Sequence, residues 1–341
     1  MNYKGINYDT GTRTLTGSLT REKFEEERIV KEIGIIKNEL HCNAVRISGT
    51  DIERVVKAAE IALAQQLTVL FSPSLQFENQ EDTFKYILQS AEAAETLRSR
   101  YGNLILVVGC ELTLFTSGFI KGDTGEDRIK NMFGPYSLVK NILGIKRTYN
   151  KRLDSFLLET IEEVRKRFNG QVTYASGTWE KVNWNLFDLI SIDHYRASYN
   201  KAIYVKDLQS YKNLGKPLCI TEFGCCTYKG ADDKGAMGWA IVDWKKDKPE
   251  LKGSYVRDED TQAAYLLELL DVFEKEKVFG AFVFTFLFEN YIYDDDAKYD
   301  LDMASYGIVK AIPYIKSGYS ENLPWIPKKA FYALGEYFRK N

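Results

Sequence analysis

The sequence is short of several things that would announce a chemistry. Histidine occurs twice in 341 residues, too few for a His-rich metal centre. No Gly-x-Gly-x-x-Gly or Walker glycine pattern follows an apolar run, so no nucleotide-phosphate cradle is expected. No Gly-x-Ser-x-Gly elbow is present to support a Ser-His-Asp device. Neither sign of charge dominates: 46 basic residues face 48 acidic ones, a formal charge of −2. That balance speaks against nucleic acid or an anionic membrane as partner. The longest near-apolar run, "VFGAFVFTFLF" at 278–288, is too short to span a bilayer. The opening "MNYKGINYDTGTRTL" lacks the basic-then-apolar pattern of a signal peptide. Five cysteines, an odd number scattered through apolar runs, read as reduced core residues, the adjacent Cys225 and Cys226 included. The expected location is cytoplasmic.

What is present is an alternation. Short apolar runs at 3–9, 44–49, 67–73, 104–110, 171–177, 189–195, 217–223 and 280–286 are separated by longer charged segments. Several runs are nearly continuous in Val, Ile, Leu and Phe, as in strands covered on both faces of a parallel sheet. Between them, 21–40, 50–66 and 80–102 repeat apolar residues at helical spacing. The second opens on a Thr or Asp cap, and the third closes on Arg residues and then Gly. Further helices are expected at 150–168, 198–213, 258–276 and 327–339.

Eight strands, each followed by a helix or room for one, predict an α/β fold, the (β/α)8 TIM barrel, as a single domain over 1–341. A doubly wound open sheet is the runner-up. It is disfavoured by the missing glycine fingerprint. The loops after strands four, seven and eight (112–149, 224–257 and 287–325) are long and rich in aromatics such as Phe115, Tyr136, Trp239, Trp244, Tyr291 and Tyr293. In a barrel they emerge on the face where active sites are built. Aromatic faces interleaved with polar groups suit sugars, so the expected partner is a carbohydrate.

Two carboxylates stand where apolar strands run out. "VVGCELTLF" places Glu111 at the end of strand four, and "PLCITEFGCC" places Glu222 at the end of strand seven. An ionised carboxylate buried in hydrocarbon would be costly, but a strand end faces the polar mouth of the barrel. Two carboxyls from non-adjacent strands can flank one glycosidic bond, with one as acid and the other as nucleophile or base.

At "GCEL" (109–112), "ITEFG" (220–224), "VRIS" (45–48) and "DHY" (193–195), the chain resembles clan A of the glycoside hydrolases, most closely mannanase-like members around "GCEL". The resemblance implies a retaining hydrolase with Glu111 as acid/base and Glu222 as nucleophile, without cofactor or metal. Arg46 and Tyr195 would hold Glu222 by hydrogen bonds. Asp193 would anchor polar groups of the barrel or a sugar hydroxyl. Trp179, Tyr8, Phe286 and Phe288, at other strand ends, complete the substrate-contact candidates, with Glu289 a rival carboxylate. The chain departs from the clan at two places. Cys110 stands where an Asn usually binds the sugar 2-hydroxyl, and strand eight ends on Phe rather than Trp. A barrel that binds carbohydrate without turnover is the alternative. Long loops suggest a pocket, and hence exo action or short oligosaccharides.

Overall fold

The computed structural model describes residues 1–14, 17–133, 148–313, 318–319 and 323–341. Eight parallel strands close on themselves. They are β1 (Tyr3–Asp9), β2 (Ala44–Gly49), β3 (Thr68–Pro73), β4 (Leu104–Cys110), β5 (Gln171–Gly177), β6 (Ile190–Asp193), β7 (Leu218–Phe223) and β8 (Gly280–Val283). Closure comes from β1, which pairs with β2 on one side and β8 on the other, with Tyr3 opposite Gly280. The helices are α1 (Glu26–Asn38), α2 (Ile52–Ala64), α3 (Gln80–Tyr101), α4 (Leu112–Phe115), α5 (Gly125–Phe133), α6 (Tyr149–Val164), α7 (Tyr204–Lys212), α8 (Glu259–Lys275) and α9 (Lys329–Lys340). This is the expected (β/α)8 barrel. Among the described residues, no helix is long and apolar enough to cross a membrane.

Local chemistry sets the boundaries. The Asp51 carboxylate accepts from the Glu53 and Arg54 backbone N–H groups and starts α2. Asn79 does the same for α3 through Asp82 N–H, and Gly102 ends that helix at φ +89°. Alternation along the strands divides the core in two. Ala44, Leu70, Ile105, Val107, Ala175, Cys219 and Phe282 fill the inside of the barrel. Ile6, Val45, Ile47, Val69, Val172 and Ile220 point outward into the helical layer. Full burial of one such Leu, Ile or Phe contributes about 1.5–3 kcal/mol.

Strand eight is shorter than its apolar run predicts. It leaves the ladder after Val283: Phe284 N–H donates to Phe223 O, Thr285 N–H to Tyr306 O, and Phe286 N–H to Asn7 O. Alternation survives through Phe284, which meets Tyr195, and fails at Phe286, which packs against Tyr8 and Trp325. The loop after β4 is described only in part, and Tyr136 lies outside the described residues. All five cysteines are free. The Cys225 and Cys226 thiols are buried against carbonyl oxygens and, by that burial, pushed above the ordinary thiol range.

Candidate active site

Glu222 lies near the end of β7, where the register against β6 slips: Ile192 pairs with Ile220, but Asp193 pairs with Glu222. The extra residue turns Glu222 toward the barrel mouth, where two donors from different strands grip its two oxygens. Arg46 Nη1 donates to Oε1 at 2.7 Å, and the Tyr195 hydroxyl donates to Oε2 at 2.9 Å. Arg46 is itself fixed. Its Nε donates to Ser72 Oγ at 3.2 Å, and Nη1 also reaches Asn7 Oδ1 at 3.3 Å. Burial opposes the guanidinium charge, but Cys110, Glu222 and Asp193 around it outweigh burial and raise its pKa. The cation is locked in.

Glu111 follows the last residue of β4 and precedes α4, in the left-handed conformation with φ +46°. A non-glycine residue there stores on the order of 1–3 kcal/mol, a cost met at functional positions. The approach is prepared by Gly109 at φ +151°, where a Cβ would fall 2.9 Å from the Leu112 side chain. The same irregularity shifts the β4–β5 register and turns Cys110 inward. The Glu111 carboxyl has no hydrogen bond to a described residue. Burial first, then the charges of Asp193, Glu222 and Glu180, hold its pKa well above the carboxylate range. That shift favours its protonated form.

Beside Glu222 sit Cys110 and Asp193. The Cys110 thiol lies 3.3 Å from Asp193 Oδ2 and 3.7 Å from Glu222 Oε1. Asp193 Oδ1 is buried without a hydrogen bond, 3.8 Å from Arg46 Nη1. Burial and then the Glu222 charge push the Asp193 carboxyl up to about 8. Among the described residues Cys110, Asp193 and Glu222 form the one group with metal-ligand spacing, their donor atoms within 4.8 Å of one another. Arg46 already supplies the positive charge there.

A buried carboxylate that sequence reasoning missed, Glu180, supports Glu111 from behind. It accepts from Thr113 N–H at 3.1 Å, Thr113 Oγ1 at 2.6 Å and the Tyr174 hydroxyl at 2.8 Å. Leu112 N–H in turn donates to that hydroxyl at 2.8 Å. The helix that starts just after Glu111 is thereby pinned at its first turn. Trp179 is half-buried over Gly177, with its Nε1 donating to Thr113 Oγ1 at 3.0 Å.

Two expected sugar contacts require correction. Tyr8 points away from the mouth, fully buried, with its hydroxyl donating to Glu32 of α1. Asn7 is the inward residue of that strand, because side chains alternate. Phe286 likewise packs outward against Tyr8 and Trp325, a consequence of the break after Val283. Phe284 continues the inward face of β8 and meets Tyr195 edge-on at 6.3 Å between ring centroids. Phe288 is half-buried against Phe284. The rival carboxylate Glu289 is occupied by Arg21 and Arg28. In the acidic stretch "YDDDAKYDLD" (293–302), Asp300 and Asp302 pair with Arg257, and Asp302 also with Lys328.

Comparison with known proteins bears on this geometry. The model of Glycoside Hydrolase Family 113 matches residues 146–308, the stretch that carries Asp193, Tyr195 and Glu222. The chain is a glycoside hydrolase. No curated protein sequence matches this hydrolase. Its barrel is similar to a family 113 β-1,4-mannanase at TM-score 0.61 and 16% identity, with 100% of each chain covered. A family 113 β-mannanase from Alicyclobacillus acidocaldarius aligns at TM-score 0.60 and 16% identity, over 99% of this chain and 97% of that one. A β-glucosidase aligns at TM-score 0.60 and 12% identity, over 100% and 99%. The family match and the parallel barrel are features the hydrolase shares with the retaining clan A enzymes, which it resembles and which work by double displacement with two glutamates.

Proposed function

We propose that the hydrolase cleaves β-1,4-linked mannosides, with Glu222 as nucleophile and Glu111 as general acid and then base. The observation that carries the assignment of roles is the asymmetry of the two carboxyls. Glu222 receives a guanidinium and a hydroxyl, whereas Glu111 receives neither and is pushed toward its protonated form by burial and neighbouring charge. The family match and the β-mannanases among the similar structures support the mannoside.

In the first step a Glu222 oxygen bonds to the anomeric carbon as the glycosidic bond breaks. Its electron pair leaves on the departing oxygen, which takes the Glu111 proton. Arg46 and Tyr195 keep the attacking carboxylate in one orientation. In the second step Glu111, now a carboxylate, removes a proton from water. The water oxygen attacks the anomeric carbon and Glu222 is released.

The test is azide rescue on aryl β-mannosides and β-glucosides. Glu222→Ala is expected to lose about four orders of magnitude in kcat and to regain turnover with azide as the α-glycosyl azide. Glu111→Ala should yield the β-glycosyl azide. Rescue with the two stereochemical outcomes exchanged would reverse the roles. A preference for glucosides in the unmodified enzyme would overturn the mannoside.

A further inference from the structure

The two glutamates are aimed by different means. Glu222 is gripped at its own carboxylate by Arg46 and Tyr195. The Glu111 carboxyl has no such donor among the described residues. That suits a general acid, because a guanidinium on its oxygens would favour the ionised form and remove the proton it must deliver. Its direction has to come from the backbone instead.

That backbone belongs to a single helical turn, and one turn does not hold itself together. The Leu114 and Phe115 N–H groups both donate to Glu111 O, at 2.8 and 3.1 Å, while Glu111 N–H donates to Ala175 O of β5 at 2.9 Å. The groups at the ends of α4 are met from outside. At its start, Leu112 N–H donates to the Tyr174 hydroxyl and Thr113 N–H to Glu180. The Thr113 hydroxyl also donates to Glu180 and accepts from Trp179 Nε1. At its end, Leu114 O accepts at 2.7 Å from Nε of Arg128, a fully buried residue of α5. Phe115 O accepts from Phe77 N–H. Glu180 is the hub of this clamp, since the Tyr174 and Ser176 hydroxyls donate to it as well, at 2.8 and 3.2 Å.

Resting on Glu111 as the general acid, we propose that Glu180 and Thr113 are positioning residues for proton delivery. They hold the α4 turn, the turn holds Glu111 in its left-handed conformation, and that conformation points the carboxyl at the departing oxygen. Neither residue touches the reacting atoms. Because both act through the acid, their loss is felt in proportion to the leaving group's need for a proton.

The experiment compares kcat/KM, which reports formation of the glycosyl-enzyme, on phenyl and 2,4-dinitrophenyl β-mannoside. Phenolate needs protonation to depart, and dinitrophenolate does not. Glu180→Ala should lower the phenyl value about a hundredfold, as a displaced catalytic group does. The dinitrophenyl value should change by less than about threefold, since that departure draws little on general acid catalysis. Glu180→Gln keeps an acceptor oxygen for Thr113 and should restore most of the phenyl activity. If Glu180→Ala does not fold, Thr113→Val is read in the same way. An equal loss on both substrates, or no loss on either, would overturn the positioning role and leave the hydrolase reading intact. Equal losses in Glu111→Ala itself would instead overturn Glu111 as the acid, and this proposal with it.

Discussion

Two buried ionic clusters lie on either side of the barrel wall, and they are balanced differently. Outside β1, Arg21 and Arg28 share Glu32 and Glu289 at 2.7–3.0 Å, two cations for two carboxylates. Tyr8 and the Trp325 Nε1–H add further donors to Glu32. Burial would raise the Glu32 carboxyl, but Arg21 and Arg28 outweigh it and hold the pKa below its ordinary value. Glu289, nearer the edge, is raised by burial. Inside the mouth, Glu111, Asp193 and Glu222 have, among the described residues, only Arg46 as a cation. There Glu111 and Asp193 are both driven upward. The same residue types build a brace where the charges match and a proton-handling site where they do not.

Changing one member of each cluster tests that contrast. Glu32→Gln should destabilise the fold by about 3–5 kcal/mol, since two buried guanidiniums lose their shared partner. Turnover per folded molecule should stay within about twofold. Because the Glu32 pKa is lowered in the folded state, its stabilisation is present above the usual carboxylate range and lost as pH falls through the lowered value. Denaturant unfolding should therefore show the two proteins converging in acid. A loss below about 1 kcal/mol at pH 7 would mean the brace is not one.

Arg46→Met comes next in size. Glu222 would keep only the Tyr195 hydroxyl, and kcat/KM is expected to fall on the order of 10³-fold. The Arg46 charge restrains the Glu111 pKa, so its removal should move the alkaline limb of the residual activity to higher pH.

The smallest effect sharpens the comparison most. Asp193→Asn removes the leading charge that raises Glu111, and a general acid with a lowered pKa loses its proton sooner. The alkaline limb should shift to lower pH, opposite to Arg46→Met. Stability carries a second sign. Asp193 is pushed up to about 8 in the folded chain, so the unmodified protein loses stability as pH rises from the carboxylate range through about 8. The variant should lack that loss. Equal limbs in the two proteins would detach Asp193 from Glu111.

Much of this was legible in the sequence because barrel strands are covered on both faces and read as unbroken apolar runs. Glu111, Glu222, Arg46 and Tyr195 were found because each interrupts such a run near its end. What failed to show is where alternation resets. Nothing local says that β8 stops at Val283, so the run points to Phe286 as an inward residue and leaves Phe284 unmarked. Tyr8 was misplaced one step from Asn7, since β1 shows a hydroxyl and an amide side by side without marking which faces in. Glu180 carried no signal. It lies in a loop, and its partners Thr113 and Tyr174 are distant in the chain.

The twist at Glu111 has an evolutionary edge. Glycine would occupy that backbone shape without effort, so the most comfortable residue for the polypeptide is one that cannot pass a proton. Selection for sturdiness and selection for turnover pull this position in opposite directions, and the residue found there records which of them prevailed.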